Sequence, residues 1–294
     1  MLKRINWKLV GITFAWLVSL SGLVALMSFI SVKKNEVRCT EVKVAIPGTQ
    51  SFIERAEVDR IVMATYGKVT GSLLSRINIH LLEEALKANP FIADAKVYAD
   101  MDGVLQIGIV QREPLIRILN SENQDFYIDR NGYKIPASAN FTARVLAANG
   151  LIGEHFSGRV DTLNTPIGRD LYAVAQFIEK DTLWNDQIEQ LYVNQQNEIE
   201  MVPRVGEHRI ILGNAENLAL KFRNLLAFYK KALPLVGWDA YKTINIKYAN
   251  QVVCEKNTLD SLLKSAIADS LSTDTTANRL NAKDTTNALI PLKH

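Results

Sequence analysis

Residues 89–116 read NPFIADAKVYADMDGVLQIGIVQREPLI. Asn89-Pro90 is a helix-ending pair, because a proline ring disfavours helical backbone at the residue before it. Ala95, Val97 and Ala99 then alternate with Lys96 and Tyr98, and Leu105, Ile107 and Ile109 alternate with Gln106, Gly108 and Val110. Asp100-Met101-Asp102-Gly103 separates the two runs. Period-two alternation on both sides of a Gly-containing turn predicts a hairpin with one apolar face. Such a face needs a cover, and the residues upstream supply one.

Asn78 is placed to cap a helix over 79–88, with Leu82, Ala85 and Leu86 at helical spacing. A loop with Gly and Ser covers 67–75. An earlier helix places Val58, Ile61, Val62 and Thr65 on one face. It opens at Ser51-Phe52-Ile53-Glu54, which has capping-box spacing. Pro47-Gly48 marks a turn. Residues 37–44 read as a strand with Val37, Cys39, Val42 and Val44 as its apolar positions. The order strand–helix–helix–strand–strand predicts a three-stranded sheet with two helices on one face.

Further upstream, residues 9–32 (LVGITFAWLVSLSGLVALMSFISV) carry no charge. As a helix they span about 36 Å, against roughly 30 Å for the hydrocarbon core of a bilayer. The run is longer than a signal-peptide core and ends in bulky residues where a cleavage site needs small ones. It is therefore expected to be a retained membrane anchor behind a stub, 1–8. Lys3, Arg4 and Lys8 precede it, while Lys33, Lys34 and Arg38 are accompanied by Glu36. That bias predicts a cytoplasmic N-terminus, with the bulk of the chain outside the cytoplasm. Three of the 34 basic residues precede Leu9, leaving 31 of each sign in the remainder. A balanced surface argues against nucleic-acid binding, which needs a basic excess. The two cysteines, Cys39 and Cys254, are expected in different domains, each as a small buried hydrophobe.

Downstream, Phe126-Tyr127-Ile128-Asp129 followed by Asn131-Gly132 reads as strand, tight turn, strand, with Asn-Gly supplying positive φ. Leu171, Val174, Ala175 and Ile178 form a helical apolar stripe. Strands are expected near 188–193, 198–202 and 209–213. A further amphipathic helix carries Leu218, Phe222, Leu225, Leu226 and Tyr229, closed by Pro234 and Gly237. A last strand is read over 244–248, with Ile244, Ile246 and Tyr248 on one face and Asn245 and Lys247 on the other. Val252, Val253 and Cys254 continue its apolar run. Residues 257–294 are polar and lack aromatics, and are expected to be a disordered tail.

In this order the motifs resemble the FtsQ/DivIB cell-division family. Residues 33–112 look like a POTRA domain. Asn89-Pro90-Phe91-Ile92-Ala93-Asp94-Ala95-Lys96-Val97 is similar to the family's approach to its hairpin. Val110-Gln111-Arg112-Glu113-Pro114 resembles its domain junction, which singles out Arg112 and Pro114. Residues 113–256 resemble its second, β-rich domain, through the 126–132 hairpin, Arg209-Ile210-Ile211-Leu212-Gly213, and 243–253. The last of these has Asn245 where the family has an acid and Lys247 where it has an arginine.

The resemblance implies an α+β chain: one transmembrane helix, a POTRA-like β-α-α-β-β domain, a mixed β-rich domain with amphipathic helices, and a tail. It also implies a non-enzymatic scaffold of the division machinery in the inner membrane, with no cofactor. Its partners would be small coiled-coil bitopic proteins and the septal wall-synthesis machinery. The partner-binding edge it implies comprises Lys247, Tyr248, Val252, Val253 and Cys254. Tyr248 is either an exposed anchor there or a core residue.

The residues agree that no catalytic motif is present. His80, His155, His208 and His294 are scattered, and there is no His-Glu-x-x-His, Cys-x-x-Cys, nucleophile elbow or phosphate loop. Asp129-Arg130-Asn131-Gly132 lacks the further carboxylates of a calcium loop. Two other readings remain open. One is an anchored POTRA protein of protein export or outer-membrane assembly, although too few residues remain for a barrel. The other is an anchored enzyme whose residues, Asp170 and Glu179 for instance, meet only in space.

Overall fold

A computed structural model describes residues 7–48, 52–139 and 141–257, with the side chains of the first helix described for 11–25. That helix, α1 (Trp7–Glu36), is 30 residues long without a break. Among the described residues no helix is long and apolar enough to cross a membrane. In α1 the run with described side chains, 11–25, lies inside the expected span at 9–32. All of it is exposed. Ile12, Phe14, Trp16, Leu17, Val18, Leu20, Leu23 and Val24 point out in every direction, so the described run has no buried stripe of the kind a globular core requires.

The chain divides into two compact units. One takes the residues up to Glu113 together with Ile135–Ala143; the other takes Pro114–Lys134 and the residues from Arg144 onward.

In the first unit β1 (Glu41–Ala45), α2 (Arg55–Tyr66), α3 (Ile79–Lys87), β2 (Ile92–Ala99) and β3 (Val104–Gln111) follow the expected order. The sheet runs β1-β3-β2, with β1 parallel to β3 and β2 antiparallel to it. Ala95, Val97, Leu105, Ile107 and Ile109 form one buried face against Val58, Val62, Leu82 and Leu86 of the two helices. Asn78 caps α3, its Oδ1 accepting from the Leu81 N–H at 3.1 Å. Gly103 turns the hairpin at φ +86°, and a Cβ there would stand 2.5 Å from the Arg38 carbonyl oxygen.

Two local expectations are corrected. The first strand starts at Glu41, not Val37. The Cys39 N–H donates to the Ser72 carbonyl and its own carbonyl accepts from Gly71, so this stretch pairs with a loop. Glu54 is the N-cap of α2 and makes no side-chain cap bond, whereas a capping box puts its Glu three residues into the helix. Ser51 lies outside the described residues.

The second unit is built on a ten-stranded sheet of order β13-β12-β11-β10-β9-β7-β4-β5-β6-β8, in which β6 straddles the division after Lys134. Its elements are β4 (Pro114–Leu119), β5 (Asp125–Asp129), β6 (Tyr133–Pro136), β7 (Leu146–Gly150), β8 (Asp161–Thr162), α4 (Pro166–Glu179), α5 (Thr182–Gln187), β9 (Ile188–Val193), β10 (Ile199–Pro203), β11 (Arg209–Gly213), α6 (Leu218–Lys231), α7 (Leu233–Val236), β12 (Tyr241–Asn245) and β13 (Val253–Lys256). Three neighbouring pairs run parallel and need crossover connections: β7 with β9, β11 with β12, and β4 with β7, the last joined through β5 and β6. α4 with α5 serves the first and α6 with α7 the second. Their apolar stripes pack on the sheet as the spacing predicts, with Leu171, Val174, Ala175, Ile178, Phe222 and Leu225 in one core with Leu191, Ile210 and Ile244.

The 126–132 turn departs in detail. Gly132 has positive φ and Asn131 does not. The turn is held instead by Asp129, whose Oδ1 accepts from the N–H groups of Asn131 and Tyr133 at 2.9 and 2.8 Å. Asp129 Oδ1 is thereby engaged by two backbone donors of the turn.

Candidate functional site

The ends of each sheet show where another chain can attach, because an edge strand leaves alternate N–H and C=O groups unpaired. In the first unit both edge strands carry charged side chains from neighbouring helices. Glu83 of α3 accepts from the Val97 N–H of β2 at 2.8 Å, and Lys87 meets Asp94 of β2 at 2.7 Å. On the other side Arg55 Nη2 donates to the Val42 carbonyl of β1 at 3.3 Å. Charged groups of this kind block strand addition. Substituting Glu83 by Ala is expected to speed amide exchange at Val97 about tenfold and to cost about 1 kcal/mol, the net worth of one hydrogen bond. Unchanged exchange at Val97 in the full chain would show that Glu83 does not guard that edge.

In the second unit one edge, β8, has only two residues. The other, β13, has four and pairs antiparallel with β12 in the register Ile244↔Cys254 and Asn245↔Val253. Among the described residues no side chain bonds to the main chain of β13. This is the open edge of the molecule's described sheets.

The expected last strand over 244–248 is corrected here. β12 ends at Asn245 because the Asn245 Oδ1 accepts from the Lys247 N–H at 3.1 Å and bends the chain. Ile246 is buried, whereas Tyr248 is 44% exposed in the turn toward β13, so the two do not share a face. Asn224 of α6 holds this turn through the Ala249 carbonyl at 3.1 Å. Lys247 Nζ pairs with Glu198 at 3.0 Å and lies 5.3 Å from the centre of the Tyr248 ring. The Glu198 hydrogen bond raises the Lys247 pKa, keeping it cationic. Gly213, at φ +81°, leaves room for that lysine, since a Cβ there would stand 3.1 Å from Lys247 Cβ.

The five expected edge residues therefore divide. Tyr248 and Val253 are exposed; Val252 and Cys254 pack partly buried against the core; Lys247 is engaged with Glu198. Burial raises the Cys254 thiol pKa, which keeps it protonated and a poor nucleophile. Both cysteines are free and lie in different units. At the other named position, the Arg112 N–H donates to the Phe91 carbonyl at 2.9 Å, and the division between units falls between Glu113 and Pro114.

A buried charge cluster was not legible in the sequence. Lys134 and Glu154 are almost wholly inaccessible. Lys134 Nζ lies 2.8 Å from Glu154 Oε1, 2.8 Å from the His155 carbonyl and 3.1 Å from Asp161 Oδ1. Glu154 Oε2 accepts from the Thr165 hydroxyl and N–H at 2.6 and 2.9 Å, and from Asn164. Burial, the largest influence on Glu154, pushes its pKa up; Lys134, Thr165 and Asn164 together hold it below the ordinary carboxylate value. Lys134 and Glu154 are held by internal hydrogen bonds, while Asp161 Oδ1 meets Lys134 as an ion pair without making one, so the cluster fastens β6, β8 and the start of α4. Asp170 and Glu179 stand nine positions apart on α4, about 13 Å along its axis, and Glu179 pairs with Arg130 at 2.7 Å. No group of three metal-binding side chains occurs among the described residues.

Comparison with known families agrees with this architecture. Residues 37–110 match the POTRA-like domain, and residues 113–255 match the FtsQ/DivIB, C-terminal related family. The chain belongs to the FtsQ/DivIB family. A search among individually characterised proteins finds no match. Both matched domains are of non-catalytic families, and their combination points to a role in cell division.

Proposed function

We propose that this FtsQ/DivIB family member is a non-enzymatic, single-pass scaffold that links division proteins at the septum. α1 tethers it in the inner membrane, with the short N-terminus in the cytoplasm and both units outside. The uncharged run 9–32 and the exposed apolar side chains at 11–25 support the tether. The observation that carries the scaffold reading is the open edge of β13 beside exposed Tyr248 and Val253, when the other described edges are short or blocked. A partner strand added there takes affinity from main-chain bonds and specificity from side-chain contacts. Bitopic coiled-coil division proteins and the septal wall-synthesis machinery are the partners proposed.

Depletion followed by complementation tests this. Cells lacking the chain are expected to form filaments, and wild-type chain to restore division. Tyr248→Ala combined with Val253→Asp alters two exposed side chains, so stability is expected to stay within about 1 kcal/mol. Removing an aromatic anchor at an interface costs about 2 kcal/mol, and this variant is expected to fail in rescue at normal abundance. Full rescue would exclude the β13 edge, and normal division in depleted cells would exclude the division role.

A further inference from the structure

At the far end of β13 the chain exposes a short apolar tip. Pro234-Leu235-Val236-Gly237-Trp238 follows α6 and leads into β12. Leu235 is 85% exposed, Val236 45% and Trp238 39%. The tip is held in place from below. Leu233 is buried, Gly237 turns the chain at φ +88°, and the Trp238 ring stacks on His208 at 6.3 Å and meets Tyr229 edge-on at 5.4 Å. Tyr229 Oη and His208 Nε2 are 3.0 Å apart. An apolar group presented this rigidly loses little conformational entropy when it is covered.

Its position and charge indicate what covers it. The Ala240 carbonyl accepts from the Asn257 N–H at 3.0 Å, and Tyr241 pairs with Lys256, so the tip adjoins the end of β13. Lys230, Lys231 and Lys242 are exposed beside it, against Asp239, and Lys242 also reaches Glu255 of β13 at 3.7 Å. A strand added to β13 in either direction runs past Lys256 toward this basic-rimmed tip.

We infer that the protein whose strand adds to β13 also covers Leu235, Val236 and Trp238, with apolar residues flanked by acidic ones that lie next to that strand in its own sequence. This rests on the strand-addition reading above and extends it by a second contact. Aromatic and aliphatic groups inside a charged rim are the pattern of an interface centre. Three apolar side chains on α7 and the turn that follows it are a small footprint for binding lipid by themselves, whereas they suffice as an extension of a strand contact.

The test places a photoreactive residue at Val253, at Leu235, or at the exposed control position Leu183 in the full chain in dividing cells, and maps the adducts by tandem mass spectrometry. Val253 and Leu235 are expected to capture the same polypeptide at points within about ten residues of each other, the latter in an acid-flanked apolar segment, with nothing at Leu183. Leu235→Lys is expected to reduce capture from Val253 about fivefold, while Leu235→Met leaves it unchanged. Capture from Val253 combined with no adduct, a lipid adduct or a different protein at Leu235 overturns the inference and leaves strand addition standing. Absence of capture from Val253 overturns strand addition and the inference with it.

Discussion

Replacing Lys134 by Met in the full chain is expected to lower stability by about 3–5 kcal/mol, the cost of leaving a buried charge without its partner. Lys134 and Glu154 are both inaccessible and lie 2.8 Å apart. The orphaned carboxylate would keep its Thr165 and Asn164 donors and lose its cation. Chemical denaturation of the β-rich unit measures this, and a loss under about 1 kcal/mol would show that water or a neighbour replaces the lysine. The pH dependence carries a sign. In the native chain, against the opposing effect of burial, Lys134, Thr165 and Asn164 hold the Glu154 carboxyl below its ordinary range. Its contribution is therefore present above the unfolded value and is lost as pH falls through the folded one. In Lys134→Met burial is opposed only by the Thr165 and Asn164 donors, so the folded pKa rises from its native position. The penalty is then full near neutrality and shrinks on acidification, so the gap between the two proteins narrows toward low pH. A constant gap between pH 7 and pH 4 would contradict this account.

Phe222→Ala is expected to cost about 3–5 kcal/mol, the range for deleting a large ring from a filled core. Phe222 is 2% exposed, and its ring centre lies 4.7 Å from that of Phe177 and 5.0 Å from that of Trp184. It therefore joins α4, α5 and α6 through one side chain. The effect reaches the candidate site because α6 also carries Asn224, which holds the turn beside Tyr248. Capture of the partner from Val253 is expected to fall together with the melting temperature. The buried Trp184 serves as a probe, its emission moving to longer wavelength as water enters the cavity. A stability loss below about 1 kcal/mol would mean that the helices close over the space.

The two predictions differ in how far the sequence foreshadows them. Phe222 belongs to a helical stripe with Leu218, Leu225 and Tyr229, so its inward face follows from a period of 3.6 residues. Lys134 lies in a short strand twenty residues from Glu154, and no local pattern marks a lysine whose partner arrives from a distant loop.

The same division separates what the sequence determined from what only the tertiary structure decided. Period-two alternation in 95–109 and the i, i+3, i+4, i+7 stripe of 171–178 were enough for the hairpin and helix α4, because each element must bury the face its own residues define. Asn78 marked a helix start because its side chain reaches a backbone donor only three residues away. Strand order is not local. The placement of β13 at an open edge, and the blocking of β2 by Glu83 fourteen residues upstream, depend on which surfaces meet after the crossovers close. The candidate edge shows this within a few residues. Alternation put Ile246 and Tyr248 on one face, but the Asn245 side chain caught the Lys247 N–H, ended the strand, and left Ile246 in the core and Tyr248 on the surface. A side chain competing for a backbone donor overrides periodicity wherever the chain is free to turn.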